Sequence, residues 1–224
     1  MTLRSVLTNP LTLAAIAIFA LLAVGETLSP GFARGDQIVR LLTVAAILGI
    51  VAAGQNLVIL GGREGIDLSV GPMISLGAVI AGNIMAGANA AILPAILAAT
   101  AVTFLIGIVN GLGVTLVRIP PLVMTLGMTA IVQGGLVVYS QGIPSGNAAP
   151  ALMAFINRPL ILGLPGILFV WAIIAVGLTF LLRRTAFGYA VYAIGANERA
   201  AMLVGLPVNR IRCLLYGLSG FFAG

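Results

Sequence analysis

The stretch RRTAFGYAVYAIGANERAAMLVGLPVNRIR, Arg183 to Arg212, is the one long break in the hydrophobicity of this chain. It holds Arg183, Arg184, Arg199, Arg210 and Arg212, five of the 11 cationic side chains, and apolar runs flank it on both sides. A cationic segment between two membrane spans stays on the cytoplasmic side, because positively charged loops resist export. Within it, Ala200-Ala201 precede Gly205 at a spacing that suits a short helix packed tightly into another protein. With this stretch as a loop between spans, the chain reads as an all-α, polytopic helical membrane protein.

Composition agrees. The chain is 61% hydrophobic and 7% charged, with mean hydropathy +1.20. A soluble protein of this length places far more charge on its surface. Apolar runs of 18 residues or more, each long enough to cross a ~30 Å hydrocarbon core, recur along it. All 11 cationic residues are Arg, and there is neither Lys nor His. A Walker A loop needs a Lys, so the chain does not hydrolyse nucleotide that way. Schiff-base and His-based acid–base chemistry are excluded with it. The single Cys213 forms no internal disulfide and no Cys-rich metal site. No catalytic residue and no metal ligand set is expected. The net charge of +6 does not point to nucleic acid, because no aromatics interleave with a basic patch and the Arg residues sit at the ends of apolar runs. They read as topology anchors beside the lipid bilayer.

Seven spans are expected: 11–25, 38–60, 68–87, 90–117, 121–140, 160–182 and 211 to the end. With the N-terminus cytoplasmic, Arg4, Arg63, Arg118 and the five arginines of 183–212 lie inside, and Arg34, Arg40 and Arg158 outside. That asymmetry favours this orientation over its inverse. The first run follows Arg4 as a signal peptide would, but Gly25-Glu26-Thr27-Leu28 offers no clean small-x-small cleavage site, so a retained span is the reading taken. Glu26, Ser29-Pro30-Gly31 and Asp36 form a turn-rich external loop. The longer external loop, 141–159, reads either as a surface for a soluble partner or as an ordinary mobile connection. The final apolar run stops about a dozen residues after Ile211, so further spans are expected beyond Gly224.

Several polar positions carry weight. Gly61-Gly62-Arg63-Glu64-Gly65-Ile66-Asp67-Leu68-Ser69-Val70-Gly71-Pro72 reads as a capped helix start, with Asp67 or Ser69 accepting from free N–H groups and Pro72 early in the helix. The sharper alternative is a discontinuous helix end facing a translocation path. Gln55, Asn56, Asn83, Asn110 and Gln133 lie inside spans, and each must face the bundle interior or a wet cavity. With Asp67 and Ser69 they are the path candidates, helix–helix hydrogen bonding being the alternative for each. The fourth to sixth spans hold no acidic residue, so no carboxylate relay for protons or sodium is visible. Gly107 and Gly111, four apart, let two backbones approach closely. Asn197 is placed to cap a short helix opened by Glu198, and Gly205 and Pro207 to end it.

Four segments in order resemble the permease subunits of ABC importers for ribose, xylose, arabinose and related sugars. They are VAAILGIVAAGQNLVIL (44–60), GIDLSVGPMISLGAVIAG (65–82), GIVNGLGVTLVRIPPLVMTLGM (107–128) and RTAFGYAVYAIGANERAAMLVGLPVNRIRCLLYGLSGFFAG (184–224). The resemblance implies one transmembrane permease domain over 1–224, incomplete at its C-terminus, with 183–212 as its cytoplasmic coupling loop. It implies a monosaccharide or related small polar solute and a bacterial inner-membrane location. The implied partners are a cytoplasmic ATP-binding subunit that uses ATP and Mg, a second permease copy (identical or not) and an extracytoplasmic solute-binding protein. By the same likeness Gly195, Asn197, Glu198, Ala200, Ala201 and Gly205 are the residues coupled to the ATPase. Two departures stand out. Arg199 occupies the place before the paired alanines where the broader motif has Glu, and Arg63-Glu64 inserts charge ahead of GIDLS. The competing class, a self-sufficient secondary transporter or channel, would need no ATPase and would use an ion-coupling carboxylate; an intramembrane enzyme has too few reactive side chains here.

Overall fold

Long apolar segments leave the backbone no partner but itself, and a helix is the local way to satisfy every N–H and C=O. The computed structural model describes residues 9–62, 64–143 and 145–224, so the topology roles read for Arg4 and Arg63 lie outside the described residues. It comprises two units, 1–45 and 46–224. In the first, α1 (Pro10–Leu28) starts where the Asn9 side chain accepts from the Leu11 N–H at 3.0 Å, with Pro10 at the first helical position. The turn after it folds around Glu26, whose carboxylate accepts from the N–H groups of Gly31 (2.9 Å) and Ala33 (2.7 Å). α2 (Gly35–Leu60) then opens with Asp36 paired to Arg40 at 2.7 Å.

The second unit contains the rest of α2, then α3 (Val70–Met85), α4 (Ile92–Thr115), α5 (Pro121–Ser140), α6 (Pro150–Asn157), a hairpin of β1 (Pro159–Ile161) and β2 (Leu164–Pro165), α7 (Gly166–Arg184), α8 (Ala186–Ala196), α9 (Glu198–Leu203) and α10 (Val208–Ala223). Among the described residues, α1, α2, α4 with the short turn before it, α5 and α7 are long and apolar enough to cross a membrane. The spans read from sequence correspond to helices with ends shifted by a few residues. Two differences are informative. α3 has 16 residues, which at 1.5 Å each is about 24 Å, short of the ~30 Å hydrocarbon core. The start of the expected 160–182 span is instead the β1–β2 hairpin, pairing Pro159 with Pro165 and Ile161 with Leu164. Pro159 cannot donate within a helix, and Gly163 at φ +77° makes the tight reversal.

In this unit 61–69, 116–120 and 185–207 gather at one end of the bundle, and 86–91 with 141–165 at the other. The 141–159 segment is held there rather than loose. Gly87 donates to the Asn147 carbonyl (2.9 Å), Asn147 donates to the Gly82 carbonyl (3.2 Å), and the Asn89 side chain accepts from the Ala151 N–H (3.0 Å).

The tightest packing joins α4 and α10. A Cβ on Gly107 would meet the Tyr216 carbonyl oxygen, one on Gly111 would lie 2.6 Å from the Cys213 Cα, and one on Gly220 would meet the Thr103 carbonyl oxygen. The Gly107–Gly111 spacing therefore does what it does in membrane helices generally: it brings backbones together. Gly220→Ala is expected to lower thermal stability, because backbone atoms cannot yield as a flexible side chain would and overpacking costs about 1–3 kcal/mol. Fluorescence-detected gel filtration after a heating series measures this, with Gly134→Ala as control since nothing lies within 4 Å of a Cβ there.

Candidate functional site

The entry to α3 is where polar chemistry enters the bundle. Residues 61, 62 and 64–69 are not a regular helix, yet Asp67 and Ser69 are 3% and 0% exposed. Irregular backbone at membrane depth survives only where protein satisfies its polar groups. Each of the surrounding helices contributes. From α2 the Gln55 carboxamide, turned so that its oxygen faces N–H, accepts from the Asp67 N–H at 3.1 Å and donates to the Asp67 carbonyl at 3.3 Å. From α5, the Thr125 and Thr129 hydroxyls, whose shorter contacts at 2.9 Å are the Pro121 and Thr125 carbonyls of their own helix, also lie 3.4 Å from the Ile66 carbonyl and 3.2 Å from the Leu68 carbonyl.

The Asp67 carboxylate is the hub. One oxygen accepts from the Ser69 N–H (3.1 Å), from the Ser69 hydroxyl and from the Asn110 amide of α4 (3.5 Å). The other accepts from the Ser219 hydroxyl of α10 at 3.1 Å. Asn110 also donates to the Ser69 hydroxyl at 2.8 Å. Asp67 thus does more than cap α3. Ser69 stands at the N-cap position but makes no side-chain capping bond, because its hydroxyl is engaged with Asp67 and Asn110. The absence of acidic residues from the fourth to sixth spans stands, but the bundle still holds a carboxylate, delivered by the break. Both of its oxygens accept hydrogen bonds from donors of the chain itself, which ties the carboxylate into the bundle.

The path candidates separate by location. Gln55, Asp67, Ser69 and Asn110 meet in this cluster. Asn83 is half-buried near the other end, where its side-chain oxygen accepts from the Ser145 hydroxyl at 3.2 Å. Asn56 and Gln133 are exposed on the surface of this chain, so of the two placements read for the intraspan amides, the interior of this chain does not hold for them. A carboxamide on the outer face of a span is costly against lipid, so these two faces call for water or a partner.

The second functional element is α9. Asn197 caps it, accepting from the Ala200 N–H at 3.0 Å. One face packs inward: Ala201 is 3% exposed and meets Ile194 and Val208. Gly195, just before the cap, abuts the end of α2, where a Cβ would meet the Leu60 carbonyl oxygen. Glu198 faces inward too, its two oxygens accepting from both terminal nitrogens of Arg212 at 3.2 Å each. Ala200 and Gly205 are exposed, and so are Met202 (50%), Leu203 (88%) and Val204 (76%). The paired alanines therefore do not form one outward face; they point in different directions.

Arg212 corrects a second reading. It is 3% exposed and is no topology anchor: it donates to Glu198 and, from Nη2, to the Gly61 carbonyl at 3.2 Å. Its Nε, the Asn110 Oδ1 and the Tyr216 hydroxyl are buried without a hydrogen-bond partner among the described residues. Arg212, Ser219, Tyr216, Thr125 and Thr129 were all missed as site residues. For Arg212 and Ser219 a signal existed, since they lie in helical phase with Val208, Leu215 and Ala223 on the buried face of α10.

Comparison with known proteins places this geometry in context. A family profile described as "Branched-chain amino acid transport system / permease component" matches residues 37–224. The ribose import permease protein RbsC of Escherichia coli (strain K12) is 35% identical over 213 residues, 93% of this chain and 65% of that protein. The fructose import permease protein FrcC of Rhizobium meliloti is 32% identical over 214 residues, 92% of this chain and 58% of that protein. The autoinducer 2 import system permease protein LsrC of Enterobacter sp. (strain 638) is 32% identical over 223 residues, 99% of this chain and 63% of that protein. The chain thus spans somewhat less than two thirds of the length of these relatives. No solved structure matches it.

Proposed function

Since the chain belongs to the family described as branched-chain amino acid transport system / permease component, we propose that it is the transmembrane permease subunit of an ATP-driven importer. The solute is a monosaccharide or related small polar molecule, in line with the ribose, fructose and autoinducer 2 that its relatives' names carry. The observation that carries the reading is α9: a short helix fastened by one face to the end of the bundle, with Met202, Leu203 and Val204 left as an exposed apolar tip. A cytoplasmic surface of that kind fits a groove on a partner. The chain holds no Lys, so ATP and its Mg belong to that partner, the ATP-binding subunit.

In this account Gly195, Glu198 and Ala201 hold the helix to its own bundle. Asn197, Ala200 and Gly205 join Met202, Leu203 and Val204 in facing the ATPase. Gly205, at φ +80° with nothing within 4 Å of a Cβ, ends the helix and leaves room for the partner. Asn56 and Gln133 border the solute path, which forms against a second permease copy, and an extracytoplasmic solute-binding protein delivers at the end carrying 141–165. The end carrying 185–207 is cytoplasmic, as Arg118, Arg183, Arg184, Arg199 and Arg210 there against Arg158 at the other end support. The same rule favours a cytoplasmic N-terminus, and the apolar helices with the bacterial relatives support a bacterial inner membrane. The test is affinity purification of the tagged full-length protein from its native membranes. An ATP-binding subunit is expected to co-purify in stoichiometric amount, with ATPase activity that vanadate inhibits. Purification without any nucleotide-binding protein would contradict the assignment.

A further inference from the structure

We propose that Arg212 is a positioning residue that carries movement of α9 into the buried break at 61–69, with Glu198 as its partner on the docking side. The inference rests on the permease reading above and deepens it.

Three observations converge on this side chain. First, the guanidinium is forked: both terminal nitrogens hold the Glu198 carboxylate at 3.2 Å, and Nη2 also holds the Gly61 carbonyl at 3.2 Å. One rigid, charged plane therefore bridges the docking helix and the first residue of the break, and only Arg offers donors in that geometry. Second, the group is 3% exposed. A buried guanidinium cannot exchange its partners for water cheaply, so Glu198 and Gly61 move with it rather than slipping past it. Third, the break is held at both ends. At the Gly61–Gly62 end a Cβ on Gly62 would lie 3.0 Å from the Gly195 Cα, so the last turn of α8, two residues before the α9 cap, touches the break through backbone alone. At the Asp67–Ser69 end, Gln55, Asn110 and Ser219 grip it from α2, α4 and α10.

The break is thus tied at Gly61 and Gly62 to the docking side and at Asp67 to the polar hub. When α9 is moved by its ATPase, Arg212 pulls or pushes Gly61, and the break shifts the Asp67 hub where three spans meet. Glu198 in this scheme pairs with the chain's own Arg212. The Glu of this segment works inward, and the contact with the ATPase is left to the apolar tip.

A merely structural role for the pair would lower folded yield and leave the stoichiometry of transport alone, so the deciding measurement is solute moved per ATP hydrolysed. It uses the complete importer in proteoliposomes, with radiolabelled ribose and fructose as probes. Arg212→Met, Arg212→Lys and Glu198→Gln are compared with wild type, each checked for ATPase co-purification and monodispersity. Arg212→Met is expected to assemble and hydrolyse ATP while solute per ATP falls at least tenfold. Arg212→Lys, which can hold one partner but not both, is expected to fall about threefold. Glu198→Gln is expected to lie between them. Unchanged coupling, within twofold, in any variant that assembles would overturn the proposal. Loss of assembly in both Arg212→Lys and Glu198→Gln would also overturn it, by assigning the pair to stability alone. Failure of the permease reading is distinguishable, because then the wild-type complex itself would show no ATP-driven uptake.

Discussion

Leu203→Asp is expected to abolish ATP-driven uptake, at least a hundredfold, and to strip the ATP-binding subunit from the purified complex. The argument is one of location. Leu203 is 88% exposed at the end of α9, flanked by Val204 at 76%, so within this chain it contributes almost nothing to packing. Surface substitutions of that kind usually change stability by about 0.5 kcal/mol or less. In the assembly the same side chain is read as an anchor in the partner's groove, and truncating such anchors costs about 2–4 kcal/mol of binding. A buried, unpaired carboxylate costs more still. Large functional loss with intact folding is the signature. The checks are co-purified ATPase and uptake, with Leu203→Met as the tolerated control. Gly205→Glu should act in the same direction, with added backbone strain at φ +80°. If Leu203→Asp retained both ATPase and uptake, α9 would not be the docking element.

The second large effect is at the hub. Asp67→Ala is expected to cut the yield of monodisperse protein at least tenfold and to abolish uptake by whatever survives. Removing the carboxylate strands the Ser69 and Ser219 hydroxyls, which are 0% and 1% exposed, and each buried donor left without an acceptor costs about 1–3 kcal/mol. It also removes the Ser219 link between α10 and the Asp67 end of the break. Asp67→Asn keeps one acceptor oxygen and the volume, and the serine hydroxyls can rotate to suit its amide. It is therefore expected to fold, with reduced uptake. Fluorescence-detected gel filtration and uptake on the same membranes separate the two variants. An Asp67→Ala protein that folds and transports within twofold of wild type would remove the hub from the account.

Much of the architecture was legible because lipid imposes a simple grammar. Apolar runs bounded by Gly, Pro and Arg read as spans, and the helices follow them closely. Asn197 as a cap and Gly107 with Gly111 as a close-packing pair were equally local signals. What escaped was long-range. Asp67 meets Ser219 across 152 residues and Asn110 across 43, separations at which no short motif exists. Arg212 looked like an anchor because arginines at the ends of apolar runs usually are. Its helical phase with Leu215 and Ser219 placed it on the buried face instead. The β1–β2 hairpin hid inside an apolar run because Leu160, Ile161 and Leu162 suit a strand as well as a span. Asn56 and Gln133 read as facing either the bundle interior or a wet cavity, and within this chain they are exposed. On the proposed reading, the path runs between two chains.

The most direct test of the importer assignment is uptake by right-side-out proteoliposomes bearing the complete complex, with the solute-binding protein outside and radiolabelled ribose or fructose as probe. The account predicts accumulation when ATP and Mg are sealed inside, none when a non-hydrolysable analogue replaces ATP, and none under a proton or sodium gradient alone. Accumulation driven by an ion gradient without ATP would contradict it and make the chain a self-sufficient secondary transporter.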